Sequence, residues 1–283
     1  MSAPDFVTVG HAVRDLHADG WRLGGTITFA AVQAHRLGQS VGVVTRVAHD
    51  VDLMAALPFA TIEAGVSRET TAFENVYEGG VRHQRVRAVG DPIENSDVPE
   101  AWLRDARIAL IGPVFGEVDA SLADQFSSHT FVGLSAQGWL RSLDKDGNVV
   151  RSAWTGAPFW RGATTVFVSD EDLVGGRDDT AAWCRDVPVV AMTESRRGLQ
   201  VWTDGRWWRM GAFPSQEVDP TGAGDTFASA FLIRFAECGD AREAARFGAA
   251  AASLAVGGEG VGVQPAREEI EERMRAYPEI RPA

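Results

Sequence analysis

Short apolar segments that recur along the chain, separated by helical patterns, constrain the fold more than any other feature. The segments are DFVTVG, VGVVTRV, RIALIGP, TFVGLS, TVFVSD and VPVVAMT, at residues 5–10, 41–47, 107–113, 130–135, 165–170 and 187–193. Strands that alternate with helices are typical of βαβ units around a mostly parallel sheet. We therefore expect an α/β fold over residues 1–283 as a single domain, with ligands where the strands end.

Residues 67–93 follow a different pattern from the rest of the chain. Polar residues alternate there with apolar or aromatic ones around a turn at 78–80, which predicts a β-hairpin. A hairpin that leaves an α/β core is either a cover over a site or a plain surface feature, and the pattern alone favours neither. The C-terminal third is helical, and its first apolar face begins directly after Asp225.

Composition excludes several classes of function. The net charge is −12 and no dense cluster of Lys and Arg exists, so we expect no nucleic-acid partner. We expect no membrane association either, because the chain is acidic and lacks an apolar stretch of spanning length. Two separated cysteines, Cys184 and Cys238, and the absence of a visible export signal predict a cytoplasmic protein with free thiols.

None of the six histidines has the spacing of a zinc site. His11 lies in the first turn near Asp15, and we interpret it as a core or surface residue, with a structural or substrate-contact role as the alternative.

The sequence VDPTGAGDTFASAFL at residues 218–232 carries the clearest functional signal. Small residues run directly into a helix start, where unpaired N–H groups and the helix dipole bind anions. Asp225 stands at the same helix start, and we expect the dipole and the N–H groups to favour its ionised form. An anion cradle beside a carboxylate base suits phosphoryl transfer to a hydroxyl. From these residues alone, a simple helix N-cap is the stronger interpretation of Asp225.

Two other phosphate-binding motifs are absent from the sequence. No GxGxxG string opens an N-terminal βαβ unit, and no Walker A loop exists, because Lys145 is the only lysine and lies in a predicted hairpin turn at 144–148. Backbone dipoles are therefore expected to hold the anion. Arg196 and Arg197 are additional candidates, although a solvated surface position is the commoner outcome for such a pair.

The string DPTGAGDTFASAFL resembles, over its whole length, the C-terminal signature of the ribokinase-like (PfkB) family of carbohydrate kinases. Upstream motifs in matching order extend the resemblance over nearly all of the chain. The resemblance implies a three-layer αβα sandwich with a mostly parallel central sheet and a small β lid, the 67–93 hairpin. It also implies ATP and Mg²⁺, with a monovalent cation as a further candidate, and a homodimer formed through the lid.

The resemblance also implies the site residues. Asp225 corresponds to the catalytic base, and Gly222, Ala223 and Gly224 correspond to the anion hole. The acceptor-binding positions fall on Asp15, Gly24, Gly25, Phe29 and Gln137, and the nucleotide-binding positions on Thr193, Ser195 and Gly198. Asp172, in an altered form of the magnesium motif at 168–173, and Asp219 are the metal candidates.

Departures from the family pattern bear on the acceptor. Phe29 stands where the family usually has a sugar-binding asparagine, so a simple ribose or fructose pocket is in doubt. Together with GPVFGEVD at 112–119 and SAQGWLR at 135–141, this resembles a divergent branch that includes inositol kinase-like proteins. In that branch Gln137 and Arg141 would face the substrate or the lid, and a plain polar loop is an equal alternative.

The sequence thus predicts an ATP-dependent kinase that phosphorylates a hydroxyl of a small sugar or polyol, inositol-like acceptors included. One alternative is a nucleoside kinase of the same fold, with Phe29 against the base. Another is a non-catalytic ligand-binding relative, which the altered magnesium motif suggests.

Overall fold

The computed structural model describes residues 2–17, 19–78, 81–154 and 162–283, so part of the turn expected at 78–80 lies outside the described residues. The strands are β1 (Phe6–Val9), β2 (Val13–His17), β3 (Gly20–Gly24), β4 (Val41–Val47), β5 (Ala60–Val66), β6 (Ala72–Glu78), β7 (Val81–Ala88), β8 (Ile108–Ile111), β9 (Phe131–Ser135), β10 (Arg141–Leu143), β11 (Val149–Arg151), β12 (Thr165–Ser169), β13 (Val189–Thr193), β14 (Leu199–Thr203) and β15 (Arg206–Met210). The helices are α1 (Thr26–Arg36), α2 (Leu53–Ala56), α3 (Glu100–Asp105), α4 (Trp183–Asp186), α5 (Ala223–Cys238), α6 (Ala241–Ala255) and α7 (Arg267–Ala276).

The central sheet contains nine strands in the order β15-β14-β13-β12-β9-β8-β1-β4-β5. Neighbours from β13 to β5 run parallel, and β14 and β15 add an antiparallel edge. All six apolar segments of the sequence supply strands of this sheet. The predicted α/β class with a mostly parallel sheet is therefore confirmed.

Alternate residues of each central strand face opposite sides of the sheet, as the period of two requires. Phe6 and Leu110 pack with α1, α5 and α6 on one side, in one buried cluster. Val7 and Ile111 point to the other side, where they pack with Trp102 of α3 and other residues of a second cluster. Helices thus cover both faces, which gives the three layers. In the described ranges, no helix combines the length and the apolar character that crossing a bilayer requires.

A second, four-stranded sheet has the order β3-β2-β6-β7 and is called the small sheet below. The strands β6 and β7 pair antiparallel within the region 67–93, where the sequence predicts a hairpin. The strands β2 and β3 were not predicted, and β2 pairs in parallel with β6. Because that pairing joins segments almost sixty residues apart, no local pattern in β2 indicates it.

A short hairpin of β10 and β11 lies beside the small sheet. Its turn at 144–148 includes Lys145, in agreement with the sequence prediction. The Val86 N–H of β7 donates to Gly147 O at 3.3 Å, and Arg85 Nε donates to Asn148 Oδ1 at 2.9 Å. The β10–β11 hairpin is therefore attached to β7 by both backbone and side-chain hydrogen bonds.

Candidate active site

The glycine loop before α5 has a conformation that only glycine adopts easily at its key position. Gly222 is the N-cap of α5 and has a left-handed φ of 76°. A Cβ at this position would also overlap the ring of Phe29. Ala223 N–H bonds to Pro220 O at 3.2 Å, and the helical ladder starts with Thr226 N–H donating to Gly222 O at 2.9 Å. The N–H groups of Gly224 and Asp225 lie between these two, at the positive end of the helix, where an anion is favoured.

Space for such an anion exists above Gly224. A Cβ built there would meet no atom within 4 Å among the residues that the structure describes. The residue is also exposed, so its surroundings are open to the cavity described below.

Asp225 lies in the first turn of α5 and does not cap the helix, whose N-cap is Gly222 with no side-chain cap hydrogen bond. The interpretation of Asp225 as an N-cap is therefore wrong. Thr26, the first residue of α1, donates a side-chain hydrogen bond to the Asp225 carboxylate. This contact joins the glycine pair that precedes α1 to the glycine loop that precedes α5.

Burial raises the pKa of Asp225 to about 6. The hydrogen bond from Thr26 and the charge of Arg141 act in the opposite direction, and the charges of Asp15 and Asp172 raise the pKa further. The sequence predicts that the helix start favours the ionised form of Asp225 and so lowers its pKa. That prediction is wrong, because the loss of hydration on burial outweighs the favourable contacts and raises the pKa. The side chain keeps some exposed surface, but protein atoms surround the carboxylate on most sides.

Asp15 brings a second carboxylate to the site from the small sheet. It lies on β2, opposite Arg22 of β3 and next to Phe73 of β6. Its carboxylate lies directly against the Cα of Gly24, where a Cβ would overlap it. Any side chain at position 24 would therefore displace the Asp15 carboxylate from its observed position.

Asp172 and Gln137 lie together in the same region. Gln137 Nε2 donates to Asp172 Oδ1 at 3.1 Å. Burial raises the pKa of Asp172, and the positive charge of Arg141 partly offsets this effect. Arg141 Nη1 donates to Val114 O at 3.0 Å, and its guanidinium lies 5.8 Å from the centre of the Phe73 ring. Arg141 therefore contacts both the small sheet and the loop that follows β8 of the central sheet.

These groups line one cavity of about 1180 Å³. Its wall includes every residue that the resemblance placed in the site except Gly24, which lies behind Asp15, and Asp219. Of the candidate arginine pair, Arg196 lines the cavity and Arg197 does not. Asp219 Oδ1 accepts a hydrogen bond from Thr221 N–H at 2.9 Å and so holds its own loop. Thr193 ends β13, and Ser195 and Gly198 follow it in a turn with positive φ angles of 51° and 98°.

The wall also includes residues that the sequence did not indicate. They include Thr26, Phe73, Val114, Arg151, Phe213 and Ala252. Thr26 had a usable signal, because it follows the glycine pair directly. The others come from segments that only the tertiary fold brings to the cavity.

No group of three His, Cys, Asp or Glu side chains suited to a metal ion occurs within the described ranges. Magnesium in kinase sites is usually held by one or two carboxylates together with phosphate and water oxygens. Asp172, a carboxylate in the cavity wall, fits this arrangement. Asp219 lies outside the wall, and its carboxylate accepts a hydrogen bond from the Thr221 N–H within its own loop.

Comparison with solved structures defines the class of fold. A pyrophosphate-dependent kinase of the ribokinase family, solved as a sulfate complex, matches with a TM-score of 0.76 at 23% identity, over 95% of this chain and 99% of that chain. Ribokinase of Arabidopsis thaliana, complexed with ribose and ATP, matches with a TM-score of 0.74 at 20% identity, over 96% and 99%. The fold is therefore ribokinase-like.

Comparison with known sequences adds the family. Residues 157–267 match the model described as pfkB family carbohydrate kinase. Inositol 3-kinase of Zea mays is 31% identical over 256 residues, which are 82% of this chain and 65% of that protein. Cytidine kinase of Thermococcus kodakarensis is 26% identical over 263 residues, 86% of this chain and 93% of that protein.

The predicted resemblance to the ribokinase-like pfkB family is confirmed, with the family match over residues 157–267, and the relatives that the chain matches include inositol kinases. It spans less than two thirds of the length of the plant inositol 3-kinases that it matches, 65% for Zea mays and 57% for Oryza sativa.

Proposed function

We propose that this protein is a phosphotransferase that moves the terminal phosphoryl group of ATP to a hydroxyl of a small polyol or sugar, inositol-like acceptors included. The observation that carries the proposal is the place of Asp225, a carboxylate in the cavity at the start of α5 and beside the open backbone of Gly224. With a pKa of about 6, Asp225 is mostly ionised at neutral pH and is a stronger base than an ordinary carboxylate.

In the proposed reaction, Asp225 accepts the proton of the acceptor hydroxyl while the hydroxyl oxygen forms a bond to the terminal phosphorus. The bond between that phosphorus and the leaving ADP oxygen breaks in the same step. Negative charge on the transferring group then lies near the N–H groups of Gly224 and Asp225, whose hydrogen bonds stabilise the transition state.

The acceptor part of the cavity favours a molecule with several hydroxyl groups. Asp15 of the small sheet, Gln137, Arg141 and Arg151 of the β10–β11 hairpin supply hydrogen-bonding groups there. The likeness to plant inositol 3-kinases supports such an acceptor.

A nucleoside acceptor is the second candidate, because a cytidine kinase matches nearly its whole length. Phe29 would be the residue to stack on the base. It is only 3% exposed and its ring packs against Gly222, so little of the ring is free to stack. The geometry of Phe29 therefore supports the polyol over the nucleoside.

The lining of the donor part of the cavity favours a nucleotide as the phosphoryl donor. Pyrophosphate, the donor of the similar kinase solved as a sulfate complex, is the alternative. Apolar side chains of β14, of α6 with its C-cap, and of the segment after β15 line this part, namely Leu199, Phe213, Pro214, Ala252 and Val256. A purine base gains from burial against such side chains, whereas pyrophosphate has no apolar surface to bury.

Further groups complete the proposal. Thr193, Ser195 and Gly198 would contact the nucleotide, and Asp172 would hold magnesium, which neutralises phosphate charge. Asp219 remains the candidate for a monovalent cation. The small sheet, which carries Asp15, would cover the acceptor, and a homodimer through this sheet stays a prediction.

A substrate screen tests the proposal. The full chain is incubated with Mg²⁺ and either ATP or pyrophosphate, together with myo-inositol, ribose, fructose or cytidine, and products are followed by phosphorus NMR. We expect a phosphate monoester and ADP with ATP and at least one polyol or sugar. Transfer to cytidine alone would contradict the acceptor, transfer from pyrophosphate alone would contradict the donor, and no transfer at all would favour the non-catalytic alternative.

A further inference from the structure

The small sheet is joined to the rest of the molecule by four chain segments, and all four meet at His11. This residue, which is completely buried, lies in the segment between β1 and β2. Its carbonyl oxygen lies against Gly25, in the segment between β3 and α1, where a Cβ would come within 2.5 Å of it. Its ring lies between Thr71, before β6, and Asp91, after β7.

The hydrogen bonds of the His11 ring tie the two ends of the β6–β7 hairpin together. Nε2 lies 3.0 Å from Asp91 O, which can only accept, so we assign the ring proton to Nε2. Nδ1 then accepts from the Thr71 hydroxyl at 2.7 Å. Thr71 Oγ1 in turn accepts from Gly90 N–H at 2.9 Å. With this assignment, both ring nitrogens of His11, the Thr71 hydroxyl and the Gly90 N–H each have a hydrogen-bond partner.

The backbone of His11 is fixed from the other side by Glu117. The His11 N–H donates to Glu117 Oε1 at 2.9 Å. The Glu117 side chain is 5% exposed, and its carboxylate also accepts from the N–H groups of Val114 and Phe115 at 2.8–3.0 Å. Because Val114 O accepts from Arg141, the same loop fixes a charged group of the cavity.

We infer that His11 is a positioning residue for acceptor binding, which holds the small sheet, and with it Asp15 and Phe73, at a fixed place relative to Asp225. His11 does not line the cavity and so acts through the residues that do. Its predicted effect on catalysis rests on the proposed function, whereas its effect on the order of the small sheet does not.

The test uses Thr71→Val, which removes the hydroxyl between His11 and Gly90 with little change in shape. Thr71→Ser restores the hydroxyl and serves as the rescue. Thr130→Val is the matched control, because Thr130 is also buried and its hydroxyl donates to Ala106 O at 2.8 Å, outside the cavity wall. Thermal unfolding first establishes that each variant is folded.

Two measurements are compared between these variants. Hydrogen exchange of the β2 and β3 amides should speed up roughly tenfold in Thr71→Val, and stay near the wild-type rate in Thr71→Ser and Thr130→Val. The acceptor KM should rise at least roughly threefold in Thr71→Val while the ATP KM stays within roughly twofold of wild type. A purely structural role would not separate the two KM values.

The inference is overturned if exchange in β2 and β3 is unchanged, or if it rises equally in the Thr130→Val control. It is also overturned if exchange rises but the acceptor KM stays at the wild-type value. If Thr71→Val does not fold, His11→Gln takes its place under the same criteria, because the glutamine amide can donate toward Asp91 O from near the position of Nε2 but has no acceptor at the position of Nδ1, which Thr71 contacts. Absence of turnover in the wild type would contradict the proposed function instead, and exchange alone would then decide on His11.

Discussion

Replacement of Asp225 by asparagine should stabilise the folded protein even as it removes turnover. Burial raises the pKa of this carboxyl from 3.8 to about 6, a rise of roughly two units. Each unit corresponds to about 1.4 kcal/mol, so the ionised carboxylate costs the folded state about 3 kcal/mol at neutral pH. Asparagine has a similar size, carries no charge and still accepts from Thr26. We expect a gain of about 2 kcal/mol, because the buried amide keeps part of the desolvation cost.

The size of this stabilisation depends on pH. From about pH 4 to about pH 6, the folded wild type holds a proton on Asp225 that the unfolded chain has already lost. A rise in pH through this window therefore destabilises the wild type, whereas Asp225→Asn has no such titration. The variant should be about as stable as the wild type near pH 4 and more stable by the full amount above about pH 6.

Urea unfolding and thermal unfolding at several pH values between 4 and 8 measure the difference. A gain of about 2 kcal/mol corresponds to a rise in Tm of about 4 °C for a chain of this size. Asp144→Asn is the matched control: hydrogen bonds from Asn148 and Asp146 lower the pKa of the half-buried Asp144, so its replacement should be destabilising at neutral pH and not in acid. The reasoning is refuted if Asp225→Asn is no more stable than wild type at pH 8, or if its gain is the same at every pH.

Three further predictions concern activity. The kcat/KM value should fall about tenfold per pH unit below pH 6, because protonated Asp225 cannot accept the hydroxyl proton, and a flat profile down to pH 5 would contradict this. Gly222→Ala should lower turnover about a hundredfold and stability by about 2–4 kcal/mol, because its methyl group would overlap Phe29 at a left-handed φ. Gly239→Ala, at a left-handed φ with open space, should keep wild-type turnover, and equal losses in both variants would count against the anion-hole role. Asp172→Asn should raise the Mg²⁺ concentration for half-maximal activity about tenfold, and an unchanged requirement in a magnesium titration would exclude Asp172 as a ligand.

The glycine loop and the central sheet were predictable because their signals are contiguous. The apolar segments of 5–10 and 41–47 each fill a strand that is buried on both faces, and such strands are apolar throughout. The string around Asp225 contains both the left-handed Gly222 and the helix that follows it, so one stretch of chain specifies the anion-binding geometry.

The rest of the site depends on contacts between distant segments. Asp15 lies on β2, and one of the two partners of this strand, β6, comes almost sixty positions later in the chain. The local sequence of β2 does not indicate that pairing. The raised pKa of Asp225 is a second example, because helix-start chemistry predicts the opposite direction. Burial of the carboxyl raises that pKa against the opposing effects of Thr26 and Arg141, and burial is a property of the assembled fold.

The central claim is that Asp225 removes the proton from an acceptor hydroxyl, and single-turnover phosphoryl transfer by wild type and Asp225→Asn tests it most directly. With ATP, Mg²⁺ and the best acceptor of the screen, Asp225→Asn should transfer phosphate at least about a thousandfold more slowly, with ATP affinity by calorimetry within roughly twofold of wild type. Transfer by the variant at a rate close to wild type would contradict the claim.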